Sequence, residues 1–550
     1  MTIIPAFPGH ATCCLRRGPT APRLAPRRSH DSTGPRTTYV TVAIPYVNAD
    51  PHLGYAYELV EADIYARARR QTGDDVRFLG GTDDYSLKNV LAADAVRQST
   101  ADYVAAHAER FHALAAPLGL SFDDFVRTSS DPRHRPAVER LWRACAANGD
   151  LYQRTYDGEY CIGCEQFYSP SELVIDDEGR RHCPEHLNLL DRVAETNWFF
   201  RLSAYQDHIE HLITSGELEI HPRQYRDEVL AFVRGGLDDI SVSRSVTRAR
   251  GWGIPVPDDP EQVVYVWFDA LTNYLSGLQF GDPESVAYER WWLKADRRVH
   301  VIGKGIVRFH AVYWPAFLAS AGQPAPTRIE VHPYLTVGGS KISKSSGVTV
   351  VPADVVERFG TDALRWWFAR DVSATVDTDF TESRVISRAN DDLANGVGNV
   401  INRVVSLLHR FRDGQVADPN ALPIDNVIDL HADVAEALVG FDLRRAAQRV
   451  RAAVDAVNRD LEDTKPWELA PSEFGESPTA AAHLDHVLSR HLASVRAIAQ
   501  SLLPIVPDFA GRLLEQLAFG PNGLPPAQPV FARLDPVAEG ARPSLPARAR

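Results

Sequence analysis

The sequence predicts an α/β fold in which a doubly wound parallel sheet is followed by an all-α helix bundle. Up to about residue 331, short β-branched apolar runs such as 39–44 alternate with helical stretches, which is the pattern of consecutive βαβ units. After about residue 386 the chain shows long apolar helical periodicity, as at 400–408, 443–457 and 484–503. That second pattern is typical of a helix bundle.

Residues that end each element support the predicted sheet. Pro45 ends the first strand, as expected of a buried parallel strand, and Gly80 with Gly81 closes the second. A helix with apolar residues at helical spacing is predicted between them, from about 57 to 70. The predicted strands are 39–44, 76–79, 263–268, 300–302 and 328–331.

The ends of these strands are where a ligand is expected. In open α/β sheets, ligands bind outside the carboxyl ends of the strands. Four segments with polar or aromatic side chains follow or end predicted strands, and they contain His52, Asp83, Trp267 and Lys304. These segments are therefore predicted to line one site.

The composition limits the class of protein. A chain of 550 residues is expected to hold more than one domain, and 44% hydrophobic with 24% charged residues is an ordinary globular composition. The net charge of −13 argues against a protein that coats nucleic acid without sequence preference. A local basic face stays possible, since phosphate contacts need only a few lysines and arginines. No apolar run is long enough to cross a bilayer, so no membrane association is expected.

Residues 1–36 are predicted to be a disordered leader. They are rich in proline and arginine and contain a single acidic residue, Asp31. An arginine-rich, acid-poor start is also typical of a transit peptide, and a start codon placed too early gives the same composition. The lack of an amphipathic helical pattern favours the leader or the early start over the transit peptide.

A CxxC…CxxH pattern predicts a structural zinc site. Cys161 and Cys164 form one pair, and Cys183 and His186 form the second. Two such pairs close a tetrahedral Zn²⁺ site, with His182 as an alternative ligand. Metal-binding rather than disulfide-bonded cysteines favour a reducing compartment, and a cytoplasmic protein is expected.

Two distant segments suit the binding of ATP phosphates. His52 lies in residues 51–55 (PHLGY), and Lys341 and Lys344 lie in the glycine-flanked residues 341–345 (KISKS). Fixed donors aimed at the charge that develops on an α-phosphate and on departing pyrophosphate lower the barrier to adenylation. The two segments resemble the HIGH and KMSKS signatures of class I aminoacyl-tRNA synthetases.

Further motifs narrow the resemblance to methionyl-tRNA synthetases, over about residues 37–535. They are residues 43–48 (AIPYVN), 81–83 (GTD), 265–270 (YVWFDA), 302–304 (IGK), 309–310 (FH), 314–316 (WPA) and the cysteine pairs. The resemblance implies a Rossmann-type catalytic domain split by a zinc-bearing connective insertion, then a stem-contact region and an α-helical anticodon-binding domain. The implied division is 1–36 leader, 37–150 first catalytic half, 151–258 connective insertion, 259–337 second catalytic half, 338–385 KMSKS loop and stem-contact region, 386–535 anticodon-binding domain and 536–550 disordered tail.

The resemblance also implies the roles of individual residues. The implied catalytic residues are His52, Tyr55, Lys341 and Lys344. The implied ATP-binding residues are His52, Gly54, Gly303, Lys304, Lys341 and Lys344. The implied amino-acid pocket comprises Ala43, Ile44, Tyr46, Asp83, Trp267, Leu271, Tyr274, Ile306, Phe309 and His310. The implied readers of the CAU anticodon are Asn399, Arg403 and Trp467.

The chain departs from the family pattern in its active-site motifs. Tyr55 replaces the second HIGH histidine, and Gly305 replaces an aspartate that helps to hold the ribose of ATP in the family. Residues 84–86 (DYS) replace Glu-His-Gly, and Ile342 replaces the methionine of KMSKS, which conserves volume. Losing one preorganised contact commonly costs about 3 kcal/mol. Slow activation of methionine is therefore predicted, and restoring His at 55 and Asp at 305 is expected to raise the rate.

The function predicted from these features is a methionine–tRNA ligase. Its expected partners are tRNA(Met), ATP with Mg²⁺, and L-methionine, and a monomer is expected because the chain ends near the end of the family's core. Three alternatives stay open: a supplier of aminoacyl-tRNA for secondary metabolism, a catalytically weakened tRNA-binding regulator, and an adenylate-forming enzyme that uses no tRNA. Asn399, Arg403 and Trp467 disfavour the last of these.

Overall fold

The computed structural model describes residues 34–161, 166–168, 173–184, 189–342, 349–469 and 477–535. Three predicted site residues, Cys164, His186 and Lys344, lie outside these ranges. The strands are β1 Thr37–Val42, β2 Asp75–Thr82, β3 Asp124–Arg127, β4 Leu151–Cys161, β5 Gln166–Tyr168, β6 Val174–Ile175, β7 Arg181–His182, β8 Asp191–Phe200, β9 Glu219–His221, β10 Ile240–Ser241, β11 Ser243–Ser245, β12 Pro255–Val256, β13 Asp259–Val264, β14 Arg297–Gly303, β15 Arg328–His332, β16 Leu335–Val337, β17 Ser340–Lys341 and β18 Thr378–Asp379. The α-helices are α1 Leu53–Gln71, α2 Leu87–Ala95, α3 Thr100–His112, α4 His134–Ala147, α5 Gln206–Ser215, α6 Arg223–Arg234, α7 Val266–Ser276, α8 Val286–Tyr288, α9 Trp314–Ser320, α10 Pro352–Phe359, α11 Thr361–Asp371, α12 Glu382–Arg388, α13 Asn399–Arg412, α14 Leu430–Val439, α15 Leu443–Thr464, α16 Pro466–Leu469, α17 Pro478–Leu502 and α18 Pro507–Gln516.

A parallel sheet forms the centre of the region that precedes the C-terminal helices. Within the described ranges it has six strands in the order β3-β2-β1-β14-β15-β9. Strand β1 is buried from its second residue on, and Val40 pairs with Phe78 on one side and with Val299 on the other. The strand order reverses between β1 and β14, and such a reversal opens a crevice at the carboxyl ends of the two strands. The predicted parallel α/β fold is thereby confirmed.

One predicted strand is wrong. The run 263–268 is split between β13, which ends at Val264 and pairs antiparallel with β11 and β12, and α7, which begins at Val266. Trp267 therefore lies in the first turn of a helix and not at the end of a central strand. A largely buried helix such as α7 and a buried strand have similar apolar compositions, and a short run does not separate them.

The region between β4 and β13 contains more than an insertion. Strands β10, β8, β4 and β5 form a separate antiparallel sheet, beside a β6–β7 hairpin. Strand β9, however, pairs in parallel with β15 at the edge of the central sheet. The sequence pattern does not predict β9, because three residues are too few for a two-residue period to appear.

A buried arginine is among the contacts that join the helical C-terminal region to the region of the central sheet, together with a shared hydrophobic core. Helices α13, α15 and α17 cover the predicted runs 400–408, 443–457 and 484–503 to within a residue. Arg365 of α11 is fully buried; it pairs with Asp63 of α1 at 2.7 Å and donates to the carbonyl of Ile505 at 2.7 Å. Its guanidinium therefore links three regions of the chain. In the ranges that the structure covers, no helix combines the length and apolarity needed to span a bilayer.

Candidate functional site

His52 occupies the turn between β1 and α1 and caps the helix. The backbone N–H of Tyr55 donates to His52 Nδ1 at 3.3 Å. With Nδ1 accepting, a neutral imidazole carries its proton on Nε2. Burial, and then the nearby Lys341 ammonium, lower the pKa of His52 to about 4. Near neutral pH, His52 is thus a neutral hydrogen-bond donor at the crevice.

Two lysines meet over one aromatic ring beside this crevice. The Nζ atom of Lys341 lies 3.6 Å from the ring centre of Tyr334, and that of Lys304 lies 4.6 Å from it. Lys304 also pairs with Asp377, with Nζ 2.7 Å from Oδ1. The structure therefore brings together two of the three predicted phosphate-binding lysines.

Glycines at the crevice leave room close to the backbone. A Cβ atom on Gly54 would lie 3.1 Å from Nδ1 of His52, so a side chain there would press on the imidazole. A Cβ atom on Gly303 would lie 3.6 Å from Cε1 of His332 and 3.9 Å from Oε2 of Glu58. Gly54 thus borders the partly buried His52, and Gly303 borders the buried Glu58 and His332.

Tyr55 is buried instead of standing at the surface of the crevice. Its ring is 7% exposed and packs edge-on against Phe111, with ring centres 5.5 Å apart. Burial and the Glu58 carboxylate raise the pKa of the phenol well above its usual value. Among the residues described, its hydroxyl is buried and has no hydrogen-bond partner.

Aromatic rings of the predicted amino-acid pocket stack on one another. Trp267 and Phe309 lie face to face with ring centres 3.7 Å apart, and Tyr46 meets Trp267 edge-on at 6.5 Å. Within the described part of the chain, Nε1 of Trp267 is buried without a hydrogen-bond partner. Such a surface suits a thioether side chain, which packs favourably on aromatic rings.

His310 is held in a defined tautomer at the back of this pocket. Its Nδ1 atom is 3.0 Å from the carbonyl of Ile306 and must donate to it, and Nε2 then accepts from the Tyr274 hydroxyl at 2.8 Å. Burial lowers the pKa of His310 to about 4. Leu271, one turn before Tyr274 on α7, is also buried. The Tyr274–His310 pair therefore stays neutral and fixed.

The strand ends hold the remaining pocket residues. The backbone N–H of Asp83 donates to the Pro45 carbonyl at 2.9 Å, and residues 46 and 83 form a parallel bridge. Asp83 Oδ1 accepts from the backbone N–H of Tyr85 at 3.2 Å. Ala43 donates its backbone N–H to Glu58, and Ile44 lies beside Gly81. The ends of β1 and β2 thus place a buried carboxylate next to the aromatic surface.

Two of the four predicted zinc ligands lie within the residues that the structure describes. Cys161 and Cys183 are fully buried and belong to one small cluster with Tyr168. Nε2 of His182, the alternative ligand, is 2.8 Å from Oδ2 of Asp176. No three His, Cys, Asp or Glu side chains converge as a metal site within the described ranges, which omit the other two predicted ligands. Two buried thiols in one cluster fit the chemistry of a zinc knuckle.

The three predicted anticodon readers lie on two neighbouring helices. Asn399 begins α13, and Arg403 follows one turn later on the same face. The Arg403 guanidinium lies 5.4 Å from the ring centre of Trp467 in α16 and pairs with Glu462. A cleft of about 260 Å³ borders Asn399. An exposed amide, a guanidinium and an indole are thereby grouped on one surface.

Sequence reasoning missed several polar residues at the crevice. Tyr334 and Asp377 hold the lysines, and a buried Glu58–His332 pair, 3.0 Å apart, lies beneath Gly303. Tyr334 could have been predicted to lie at the crevice, because it follows β15 at the same edge of the sheet where Lys304 follows β14. No local motif marks Asp377, which reaches the site only through folding.

Comparison with known proteins agrees with this geometry. Residues 38–405 match the family described as tRNA synthetases class I (M). The chain belongs to this family. A methionine–tRNA ligase of Mycobacterium bovis is 39% identical over 523 residues, which cover 90% of the chain and 98% of that relative. One from Thermotoga maritima is 36% identical over 487 residues, which cover 88% of the chain and 75% of the relative.

Solved structures of the class I methionyl-tRNA synthetase family extend the comparison to the fold. The Mycobacterium tuberculosis methionyl-tRNA synthetase in complex with methionyl-adenylate superposes with a TM-score of 0.83 at 37% identity. The match covers 90% of the chain and all of that structure. The predicted family and the predicted fold class are thus confirmed.

Proposed function

We propose that the chain is a methionine–tRNA ligase, an ATP-dependent, AMP-forming aminoacyl-tRNA synthetase. It activates L-methionine with ATP to methionyl-adenylate and then transfers the methionyl group to tRNA(Met). The observation that carries the proposal is a likeness to methionine–tRNA ligases over nine-tenths of the chain, together with a donor cluster at the reversal point of the sheet. The proposed place of reaction is the cytoplasm, in line with cysteines that suit metal binding.

Activation is a substitution at the α-phosphate of ATP. A carboxylate oxygen of methionine attacks the phosphorus, and pyrophosphate leaves. Mg²⁺ bound to ATP would supply further neutralisation of the phosphate charge. We assign His52 as a neutral donor and Lys341, Lys344 and Lys304 as cations that stabilise the charge on the phosphates. No proton transfer by His52 is needed, since positioning and electrostatics suffice for this substitution.

Methionine is assigned to the aromatic surface. Asp83 would bind the α-ammonium by a charge-assisted hydrogen bond, while Trp267 and Phe309 would pack against the thioether. The Tyr274–His310 pair would close the far end of the pocket with fixed polar groups. This arrangement favours a soft apolar side chain over a charged one.

The tRNA is assigned to the surface formed by α13 and α16. Unpaired bases are recognised by stacking on aromatic rings and by hydrogen bonds to their edges. Trp467 offers the ring, and Asn399 and Arg403 offer hydrogen-bonding groups beside it. Transfer then consists of attack by a terminal hydroxyl of the tRNA on the methionyl carbonyl, with AMP leaving.

A structural zinc ion is part of the proposal. Cys161, Cys164, Cys183 and His186 would hold it, and the metal would stabilise the fold of the knuckle. We expect one zinc ion per purified chain by mass spectrometry and its loss in Cys164→Ser. Cys145→Ser is the matched control, because that buried thiol lies elsewhere, 3.6 Å from the Phe317 carbonyl. A fully loaded Cys164→Ser protein would contradict the assignment.

The test of the function is methionine-dependent exchange of labelled pyrophosphate into ATP, without tRNA, followed by charging of tRNA(Met). Exchange with methionine alone among the amino acids, lowered but still measurable in Lys341→Ala, would support the ligase. Absence of exchange with intact tRNA binding would instead favour the second candidate, a tRNA-binding regulator. Tyr55 and Gly305 are the observations that keep this candidate open.

A further inference from the structure

Tyr334 lies where three elements meet at the edge of the crevice. It connects β15 to β16, and Thr336 of β16 pairs with Lys341 of β17. The Lys341 side chain extends back along this hairpin, so that its Nζ atom lies 3.6 Å from the Tyr334 ring centre. This is well within the distance at which an ammonium ion is attracted to the face of an aromatic ring.

Hydrogen bonds on both sides fix the backbone from which the Tyr334 ring projects. Its N–H donates to Asp377 Oδ1 at 2.9 Å, and its carbonyl accepts from the N–H of Thr378 at 3.1 Å. Asp377 in turn holds Lys304, whose Nζ atom lies 4.6 Å from the same ring centre. A single anchored ring therefore faces two of the cations assigned to ATP.

The Tyr334 hydroxyl occupies the space next to Gly305. A Cβ atom at position 305 would lie only 2.1 Å from the hydroxyl oxygen, whereas the next atom, Cζ, would lie at 3.4 Å. Any side chain at 305 would therefore displace the hydroxyl. Removal of the hydroxyl alone would bring the distance back to ordinary van der Waals contact.

We propose that Tyr334 is a positioning residue for adenylation, whose ring holds the Lys341 ammonium beside His52 and whose hydroxyl requires glycine at 305. The catalytic part of this inference rests on the proposed function. The contact between the ring and the ammonium does not, and it is tested separately. In this arrangement Lys341 is placed before ATP binds, and Gly305 is the partner of Tyr334.

The first experiment observes the contact without any activity measurement. The chain has six lysines, so reductive ¹³C-methylation gives few NMR signals, and Lys341→Arg identifies the one that belongs to Lys341. We expect this signal to be shifted upfield by the ring current in the unsubstituted protein and in Tyr334→Phe, and to lose the shift in Tyr334→Leu. An identical signal in the Tyr334→Leu protein would overturn the proposal.

The second experiment measures pyrophosphate exchange. Tyr334→Leu is expected to lower kcat about 2- to 30-fold, the range of a cation–π contact, with the KM for methionine unchanged, while Tyr334→Phe keeps the rate. In a Lys341→Ala background, Tyr334→Leu is expected to cause no further loss. A full additional loss there would overturn the positioning role. A protein that shows the NMR shift but no exchange would contradict the proposed function and leave the contact established.

The third experiment tests the close approach between Gly305 and the Tyr334 hydroxyl. Gly305→Ala is expected to reduce the ring-current shift and the exchange rate, and adding Tyr334→Phe is expected to restore both. Gly511→Ala is the matched control, because nothing lies within 4 Å of its Cβ position. Thermal unfolding of each variant checks that the fold is retained. If the double variant stays as impaired as Gly305→Ala, the pairing of 305 with 334 is wrong.

Discussion

His52 shows how burial sets the chemistry of a single residue. Burial and the Lys341 ammonium lower its pKa to about 4, below the usual value of 6.5. Since the folded-state pKa is the lower one, the contribution of His52 to stability is present above pH 6.5 and is lost as the pH falls towards 4. Near neutral pH its Nε2–H is able to donate a hydrogen bond, and the ring carries no charge of its own.

A first prediction concerns the link between His52 and Lys341. In Lys341→Ala the pKa of His52 is expected to rise from about 4 towards 6.5, because one lowering charge is removed while burial stays. NMR titration of the imidazole measures the change. Lys304→Ala is the control, since Lys304 is not among the groups that lower this pKa. Equal His52 pKa values in the unsubstituted and Lys341→Ala proteins would contradict the prediction.

A second prediction concerns the buried Tyr55 hydroxyl. Tyr55→Phe is expected to stabilise the ATP-free protein by about 1 kcal/mol, because it removes a buried polar group without a partner in the described structure. Tyr57→Phe on the same helix is the control and is expected to cost about 1 kcal/mol, since the Tyr57 hydroxyl donates to Glu61. Urea unfolding of the two variants and of the unsubstituted protein measures these changes, and a destabilised Tyr55→Phe protein would contradict the prediction.

At the scale of elements, the crevice assigned to methionine activation and the surface assigned to the tRNA are built from different secondary structure. The crevice is formed by strand ends, where Gly303 is the last residue of β14 and His52 lies in the turn between β1 and α1. The surface assigned to the tRNA is formed by helices, where Arg403 of α13 meets Trp467 of α16. Substitutions on the helical surface should therefore leave the chemistry at the strand ends unchanged.

A third prediction follows for the helical surface. Trp467→Ala is expected to raise the KM for tRNA(Met) about 5- to 150-fold, which corresponds to the roughly 1–3 kcal/mol of one base–aromatic stack. Pyrophosphate exchange without tRNA is expected to be unaffected. Trp467→Phe is the matched control, since it keeps a ring for stacking. A Trp467→Ala protein that charges tRNA normally would exclude Trp467 as a reader of the anticodon.

At the scale of the whole molecule, Arg365 connects the regions that sequence patterns separate. Burial alone would raise the pKa of Asp63, but Arg365 and Arg67 beside it hold the pKa below its usual value. The stability that Asp63 provides is thus present above about pH 4 and is lost as the pH falls further. The same guanidinium binds the carbonyls of Pro504 and Ile505.

A fourth prediction tests this connection. Arg365→Met is expected to destabilise the protein by about 3–5 kcal/mol, because it leaves the Asp63 carboxylate buried with one partner fewer. Arg67→Met is the control and should cost less, since that side chain is 27% exposed. Urea unfolding followed at the sheet and at the helices should show both regions destabilised in Arg365→Met. An effect confined to one region would contradict the connecting role.

Sequence alone determined the family, the parallel α/β fold and the helix bundle. It also pointed to His52, Lys341, the aromatic pocket and the trio of Asn399, Arg403 and Trp467. These features are local motifs or periodic patterns, and each can be recognised within a short segment of the sequence. The zinc set is equally local and stays a prediction.

Only the tertiary structure decided which distant residues meet. It placed Trp267 in a helix, β9 on the central sheet, Arg365 between three regions and the Tyr334 hydroxyl against Gly305. From sequence, Gly305 looks like the loss of a contact that Asp would restore. In the structure an Asp side chain would meet the Tyr334 hydroxyl, so Gly305→Asp alone is expected to impair the site. These contacts depend on how segments that are far apart in the chain pack together, and no local sequence pattern specifies that packing.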